Sequence, residues 1–185
     1  VIAGSAGGRT LFSPAGNRVR PTADRVKEAL FSSLTSRFGS FAGLAVLDLF
    51  AGSGGLGIEA LSRGAATALF VDNHPDSLRL VRKNLEMTGL GPAAEILRMD
   101  VLKAVTLLAT GDKRFDIILA DPPYAEKELI EQLLLQLAAN APLTVDGIIA
   151  LETDSKTELL LPENLTLLNR KAYGDTAVWL FTAAA

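Results

Sequence analysis

The feature that most constrains this 185-residue chain is a recurrence of short apolar runs. They are Ala45–Phe50, Ala68–Asp72, Glu95–Met99, Asp116–Ala120 and Gly147–Leu151, each too short for a stable helix. Four of the five have an aspartate within or just beyond them. Between several of them lie segments whose apolar residues recur at helical spacing. Strands apolar on both faces and separated by helices imply a parallel sheet covered by helices on both sides. A last pair, Leu165–Tyr173 and Thr176–Phe181, flanks Gly174-Asp175 and reads as a closing hairpin. The expected fold is therefore α/β and doubly wound, mostly parallel, with an antiparallel edge.

Residues 1–21, rich in glycine and arginine, read as an irregular arm or hairpin with β-like pieces at Val1–Ala3 and Thr10–Phe12. Thr22 is placed to cap a helix running to about Phe38, with Val26, Ala29, Leu30, Leu34 and Phe38 on one face. Further helices are expected from the glycine loop to about Arg63, from Pro75 to Gly89, and over Glu126–Ala139. With 49% apolar residues the chain can fill a substantial core. The expected division is residues 1–40 as a basic arm and helix, and 41–185 as the main domain.

Charge separates the same two parts. Residues 1–27 carry a net +4 and the remainder −7, so the overall −3 hides a basic segment on an acidic body. A basic segment can contact phosphates or be an ordinary solvated arm. Cys is absent and His74 is the sole histidine, which excludes thiolate nucleophiles, disulfides and a two-histidine zinc site; no metal is expected. The longest nearly uncharged run, Phe38 to Ile58, contains Asp48 and six glycines and does not suit a bilayer span. A cytoplasmic monomer without membrane contact is expected, although a chain beginning at Val1 leaves a leader open.

In open α/β sheets, ligands sit beyond the carboxyl ends of the strands. The first strand runs into Asp48-Leu49-Phe50-Ala51-Gly52-Ser53-Gly54-Gly55-Leu56-Gly57, a strand–glycine loop–helix passage in which backbone can approach a ligand closely. Asp48 repels a pyrophosphate and favours a ligand carrying an ammonium or sulfonium group; S-adenosylmethionine (SAM) carries both. Asp72 lies 20 residues beyond Gly52, where a carboxylate can accept both ribose hydroxyls, and Asn73 follows it. Asp100 can accept from an adenine amino group, with the Val101 backbone beside it. Each aspartate taken singly also suits a helix N-cap. The fourth strand runs into Asp121-Pro122-Pro123-Tyr124. Two prolines stiffen that turn, the Asp121 side chain and Pro122 carbonyl are acceptors for an exocyclic amine, and Tyr124 offers a face for a base.

The order Asp48…Gly52-Ser53-Gly54, Asp72, Asp100, Asp121-Pro122-Pro123-Tyr124 resembles the Rossmann-like SAM-dependent amino-methyltransferases. Gly7-Gly8-Arg9 and Arg20-Pro21-Thr22-Ala23-Asp24-Arg25-Val26-Lys27-Glu28 make the chain similar to the bacterial 16S rRNA guanine-N2 methyltransferases over nearly its whole length. The resemblance implies that Asp48 and Phe50, Ala51, Gly52, Ser53 and Gly54 hold the methionine part of SAM. It implies Asp72 with Asn73 for the ribose, Asp100 with Val101 for the adenine, and Asp121 to Tyr124 for the target guanine. The substrate it implies is 16S rRNA within a small-subunit particle, and Arg9, Arg18, Arg20, Thr22 and Arg25 are the expected RNA contacts. The alternatives are a DNA adenine-N6 methyltransferase, which uses the same tetrad, an NAD-dependent oxidoreductase, and a fold that binds RNA without catalysis. His74 reads as a helix-start residue and Trp179 as core.

Overall fold

The computed structural model describes residues 1–14, 21–123 and 126–183; of Pro21 and Thr22 it describes the backbone. The elements are α1 (Pro21–Phe38), β1 (Ala45–Leu49), α2 (Gly55–Ser62), β2 (Thr67–Asp72), α3 (Pro75–Thr88), β3 (Ala94–Arg98), α4 (Val101–Thr110), β4 (Phe115–Ala120), α5 (Lys127–Asn140), β5 (Leu143–Asp154), β6 (Leu165–Tyr173) and β7 (Thr176–Ala183). They form one seven-stranded sheet in the order β3-β2-β1-β4-β5-β7-β6. β1 to β5 pair in parallel, and β7 runs antiparallel between β5 and β6. The expected doubly wound sheet with an antiparallel hairpin at its edge is the one observed.

Strand alternation divides the core in two. Val46, Ile117, Leu119, Ile148 and Ala150 pack with α1, α2 and α3 through Val26, Leu30, Ile58 and Val81. The intervening residues Leu47, Leu49, Ile118, Ile149 and Leu151 pack with α4 and α5 through Val105, Leu108, Ile130 and Leu134. Side chains two apart on a strand share a face. Asp48 therefore points to the α1 side, and so do the positions that follow β4 and continue β5.

The arm is irregular over residues 1–14, but its expected β-like pieces do not form. Val1–Ala3 and Thr10–Phe12 pair with no strand, because side chains on the helices take their backbone groups instead. Ile2 and Ala3 donate to the carboxylate of buried Glu59 at 2.7 and 3.1 Å, and Ala6 donates to Ser62 Oγ at 2.9 Å. Asn84, fully buried on α3, accepts from Phe12 N–H at 2.7 Å and donates back to the Phe12 carbonyl at 2.9 Å. Thr22 lies inside α1 rather than capping it, since Pro21 occupies the first turn, where its missing N–H costs nothing. The apolar stretch after Asp100, unassigned in the sequence, is α4. β5 begins at Leu143, ahead of the expected Gly147, and its pairing with β4 shifts register between Phe115 and Ile117.

Candidate functional site

The carboxyl ends of the parallel strands open into a cleft of about 790 Å³, within the usual range for a small-molecule site. Asp48, Phe50, Ala51, Gly52, Ser53, Asp72, Asn73, Asp100, Val101, Asp121, Pro122 and Pro123 all line it. Expected contacts from four strand ends thus meet around one space. Gly54 serves the loop from behind: it adopts φ 83° as the residue preceding α2, and a Cβ there would press on Ile58 Cδ1 at 3.0 Å.

The loop is held in shape by residues on β2 and α3. Phe50 takes φ 62°, a left-handed conformation that a bulky residue adopts only when its surroundings impose it. Ala51 N–H then donates to the Val71 carbonyl at 2.9 Å and Gly52 N–H to Asp72 Oδ2 at 2.9 Å, tying the loop to the end of β2. Asn84 holds the other side, donating to the Ser53 carbonyl at 2.8 Å. Gly57 is required by packing, because a Cβ would fall 2.4 Å from Phe70 Cε1 and 2.9 Å from Asp48 Oδ2.

Asp48 is 2% exposed and its Oδ2 accepts from Gly57 N–H at 2.8 Å. Burial pushes its carboxyl up to about 7; the Gly57 bond works in the opposite direction, and Asp121 and Asp72 add to the rise. Asp72 accepts from Gly52 through Oδ2 and from His74 N–H through Oδ1 at 2.8 Å, which fixes the carboxylate while each oxygen retains a further lone pair. Asp100 caps α4 by accepting from Lys103 N–H at 3.1 Å and also lines the cleft. His74 caps α3 through Nδ1. Trp179 is buried in the core and donates to Thr153 Oγ1 at 2.9 Å.

Asp121 directly follows β4 and lines the cleft. Its surface is reachable through the mouth, yet protein crowds it on its other sides, and this desolvation pushes its carboxyl up to about 6. Pro122, the next residue, is buried. Tyr124, Arg18 and Arg20, and the Thr22 side chain, lie outside the described residues. Arg9 and Arg25 are exposed and lie off the cleft lining, with an Arg9 guanidinium nitrogen donating to the Met87 carbonyl.

The arm and α1 contribute cleft residues that the sequence reading did not include: Ser13, Pro14, Ala23, Asp24 and Lys27. So do Gly55, Leu56, Glu126 and Leu129, and so does Glu152 on β5. Glu152 is 8% exposed, and burial, reinforced by Asp121 and Asp48 and opposed by Lys27, pushes it up to about 8. A charge directly after the run Ile148-Ile149-Ala150-Leu151 was its available signal, the same one that marked Asp72 and Asp121.

This strand order, with a glycine loop after β1 and acidic residues at successive strand ends, defines a SAM-dependent methyltransferase of the Rossmann-like class. Residues 1–182 match the family model described as conserved hypothetical protein 95. The Bacillus subtilis protein YlbH is 40% identical over 184 residues, covering 98% of this chain and 97% of that one. Ribosomal RNA small subunit methyltransferase D of Haemophilus influenzae is 35% identical, over 98% and 92% of the two chains. The solved structure of yhhF from Escherichia coli superimposes with a TM-score of 0.82 at 32% identity, covering 100% of this chain and 97% of that chain. The chain belongs to this family, which includes the bacterial small-subunit rRNA methyltransferases D.

Proposed function

We propose that the protein transfers a methyl group from SAM to the exocyclic N2 amine of a guanine in small-subunit 16S rRNA, acting as a cytoplasmic monomer on an assembled or partly assembled subunit. The observation that carries the reading is the convergence of Asp48, Asp72, Asp100 and Asp121 on one cleft. The donor set fits SAM: a buried carboxylate for its cationic end, a fixed carboxylate with free lone pairs for ribose hydroxyls, and an acceptor at the start of α4 for the adenine amine. When bound, SAM supplies an electrophilic methyl group. In this reading Asp48 and residues 50–54 hold the methionine part, Asp72 with Asn73 the ribose, and Asp100 with Val101 the adenine.

An exocyclic base amine is a weak nucleophile because its lone pair is conjugated with the ring. Asp121 and the Pro122 carbonyl accept its two hydrogens and so aim that lone pair, an orientation effect that can supply several kcal/mol of the barrier. A carboxyl group poised at about 6 also suits acceptance of the proton released after transfer. Tyr124 stacks on the base, which must leave any helix to enter. Residues 1–40 serve as the substrate-facing part, with Ser13, Pro14 and Lys27 at the cleft wall and Arg9, Arg18, Arg20, Thr22 and Arg25 toward RNA.

The test is methyl transfer from labelled SAM to unmodified small subunits, bare 16S rRNA and double-stranded DNA, with Asp121→Ala as control. Label in guanine N2 of the subunits, lost in the control, is expected. Label in DNA adenine would replace the substrate assignment, and transfer to none of the three would refute it.

A further inference from the structure

β4 and β5 are in register at Ala120↔Leu151, so the next residue of each, Asp121 and Glu152, lie side by side on neighbouring chains, whose spacing in a sheet is about 4.8 Å. Alternation turns Glu152 to the α1 face, since Ala150 packs there and Leu151 packs on the opposite one. Both residues line the cleft, and Lys27 of α1 lines it with them. A pair of carboxyl groups beside one base pocket has a definite chemical preference. Guanine presents its N2 amine next to a ring N1–H, giving donors at adjacent positions. Adenine presents its amine next to an N1 that accepts.

We propose that Glu152 is a specificity-determining residue: it takes the N1–H of the target guanine while Asp121 takes the N2 amine. The assignment rests on the guanine-N2 reading above and supplies the base selector that the motif at 121–124 lacks, since that tetrad serves adenine equally well. An ionised Glu152 faces the lone pair of an adenine N1 and rejects it. Charge around the group comes from every packed element: Asp48 on β1, Asp121 after β4, and Lys27 and Asp24 on α1. Asp121 and Asp48 oppose ionisation of Glu152, and Lys27 favours it. The neutral acid still accepts N1–H through its carbonyl and can donate to O6, so guanine is accommodated in both states and adenine in the neutral one alone. Selectivity therefore rises with pH.

The decisive substrate is 2-aminopurine, which keeps the C2 amine of guanine and replaces N1–H by an acceptor. Small subunits reconstituted with 16S rRNA ligated to carry guanine or 2-aminopurine at the target are methylated by the wild type and by Glu152→Gln at saturating SAM. At about pH 9, where Glu152 is largely ionised, the wild type should favour guanine by about tenfold in kcat/KM, the value of one hydrogen bond left unpaired, and by less at lower pH, where the neutral acid donates to the 2-aminopurine N1. Glu152→Gln, whose amide can donate to the 2-aminopurine N1, should reduce that preference to about threefold or less. The ratio is taken within each protein, so a general loss of stability or cofactor affinity cancels. An unchanged ratio in the variant would overturn the role of Glu152. No transfer to guanine by the wild type would overturn the underlying function, and the two failures are distinct.

Discussion

Glu152→Gln should make the protein more stable, and increasingly so as the pH rises. Glu152 is 8% exposed among other acids, and its carboxyl titrates at about 8 instead of the ordinary 4.5. Between those values the folded chain holds a proton that the unfolded chain has released. Stability therefore falls as pH rises through this window, because the folded state binds more protons. At about 1.4 kcal/mol per pH unit the rise corresponds to an upper bound of ~5 kcal/mol. Asp121 and Asp48 contribute to that rise beside burial and titrate over the same range, so ~2–3 kcal/mol is the share expected for one side chain. Glutamine keeps the shape and removes the ionisation. Thermal unfolding followed by circular dichroism should give equal midpoints for the two proteins near pH 5. By pH 8.5 the variant should lead by ~5–10 °C, using 2–4 °C per kcal/mol for a chain of about this size. A constant difference across pH would show that Glu152 does not carry an ionisation penalty in the fold.

Gly57→Ala should destabilise the protein by ~1–3 kcal/mol, measured by urea unfolding, because the new methyl collides with Phe70 and the Asp48 carboxylate. Asp72→Ala leaves the Gly52 and His74 amides without their acceptor. It should weaken SAM binding by about tenfold or more in calorimetry. Arg25→Glu, exposed and off the cleft lining, should weaken binding to small subunits, more so at low salt, while SAM affinity stays within twofold. SAM carries one more positive charge than its product S-adenosylhomocysteine. Its affinity relative to the product should therefore climb from pH 6 to 8 as Asp121, Asp48 and Glu152 lose their protons, and a flat ratio would detach the acids from cofactor charge.

Much of this site was legible because the rule that reveals it is topological. With the runs at 45–50, 68–72, 95–99 and 116–120 as parallel strands, their carboxyl ends face a common crevice. Asp48, Asp72, Asp100 and Asp121 were then candidates for one site before any contact was known. The arm was illegible for the opposite reason. Its backbone partners are Glu59, Ser62 and Asn84, all distant in sequence, and no local pattern shows that a buried glutamate on α2 will replace a neighbouring strand. α4 is the helix the pattern hides, because its N-cap, Asp100, is the same residue that follows the third apolar run and suits a ligand contact.

Glu152 shows where pattern reading and physics part. In the sequence it is a charge following an apolar run that ends at Leu151, whereas β5 continues to Asp154. In the fold it joins Asp48 and Asp121 on the face covered by α1, where burial raises the proton affinity of each and Asp121 and Asp48 add to that of Glu152. Burial of that kind opposes folding unless a ligand supplies charge or hydrogens. The proposed substrates bring both: a cationic cofactor to Asp48, and a base edge bearing adjacent N–H donors to Asp121 and Glu152. Stability given up by the unliganded fold is thus recovered on binding, so the acids that weaken the fold are the ones expected to choose what enters the cleft.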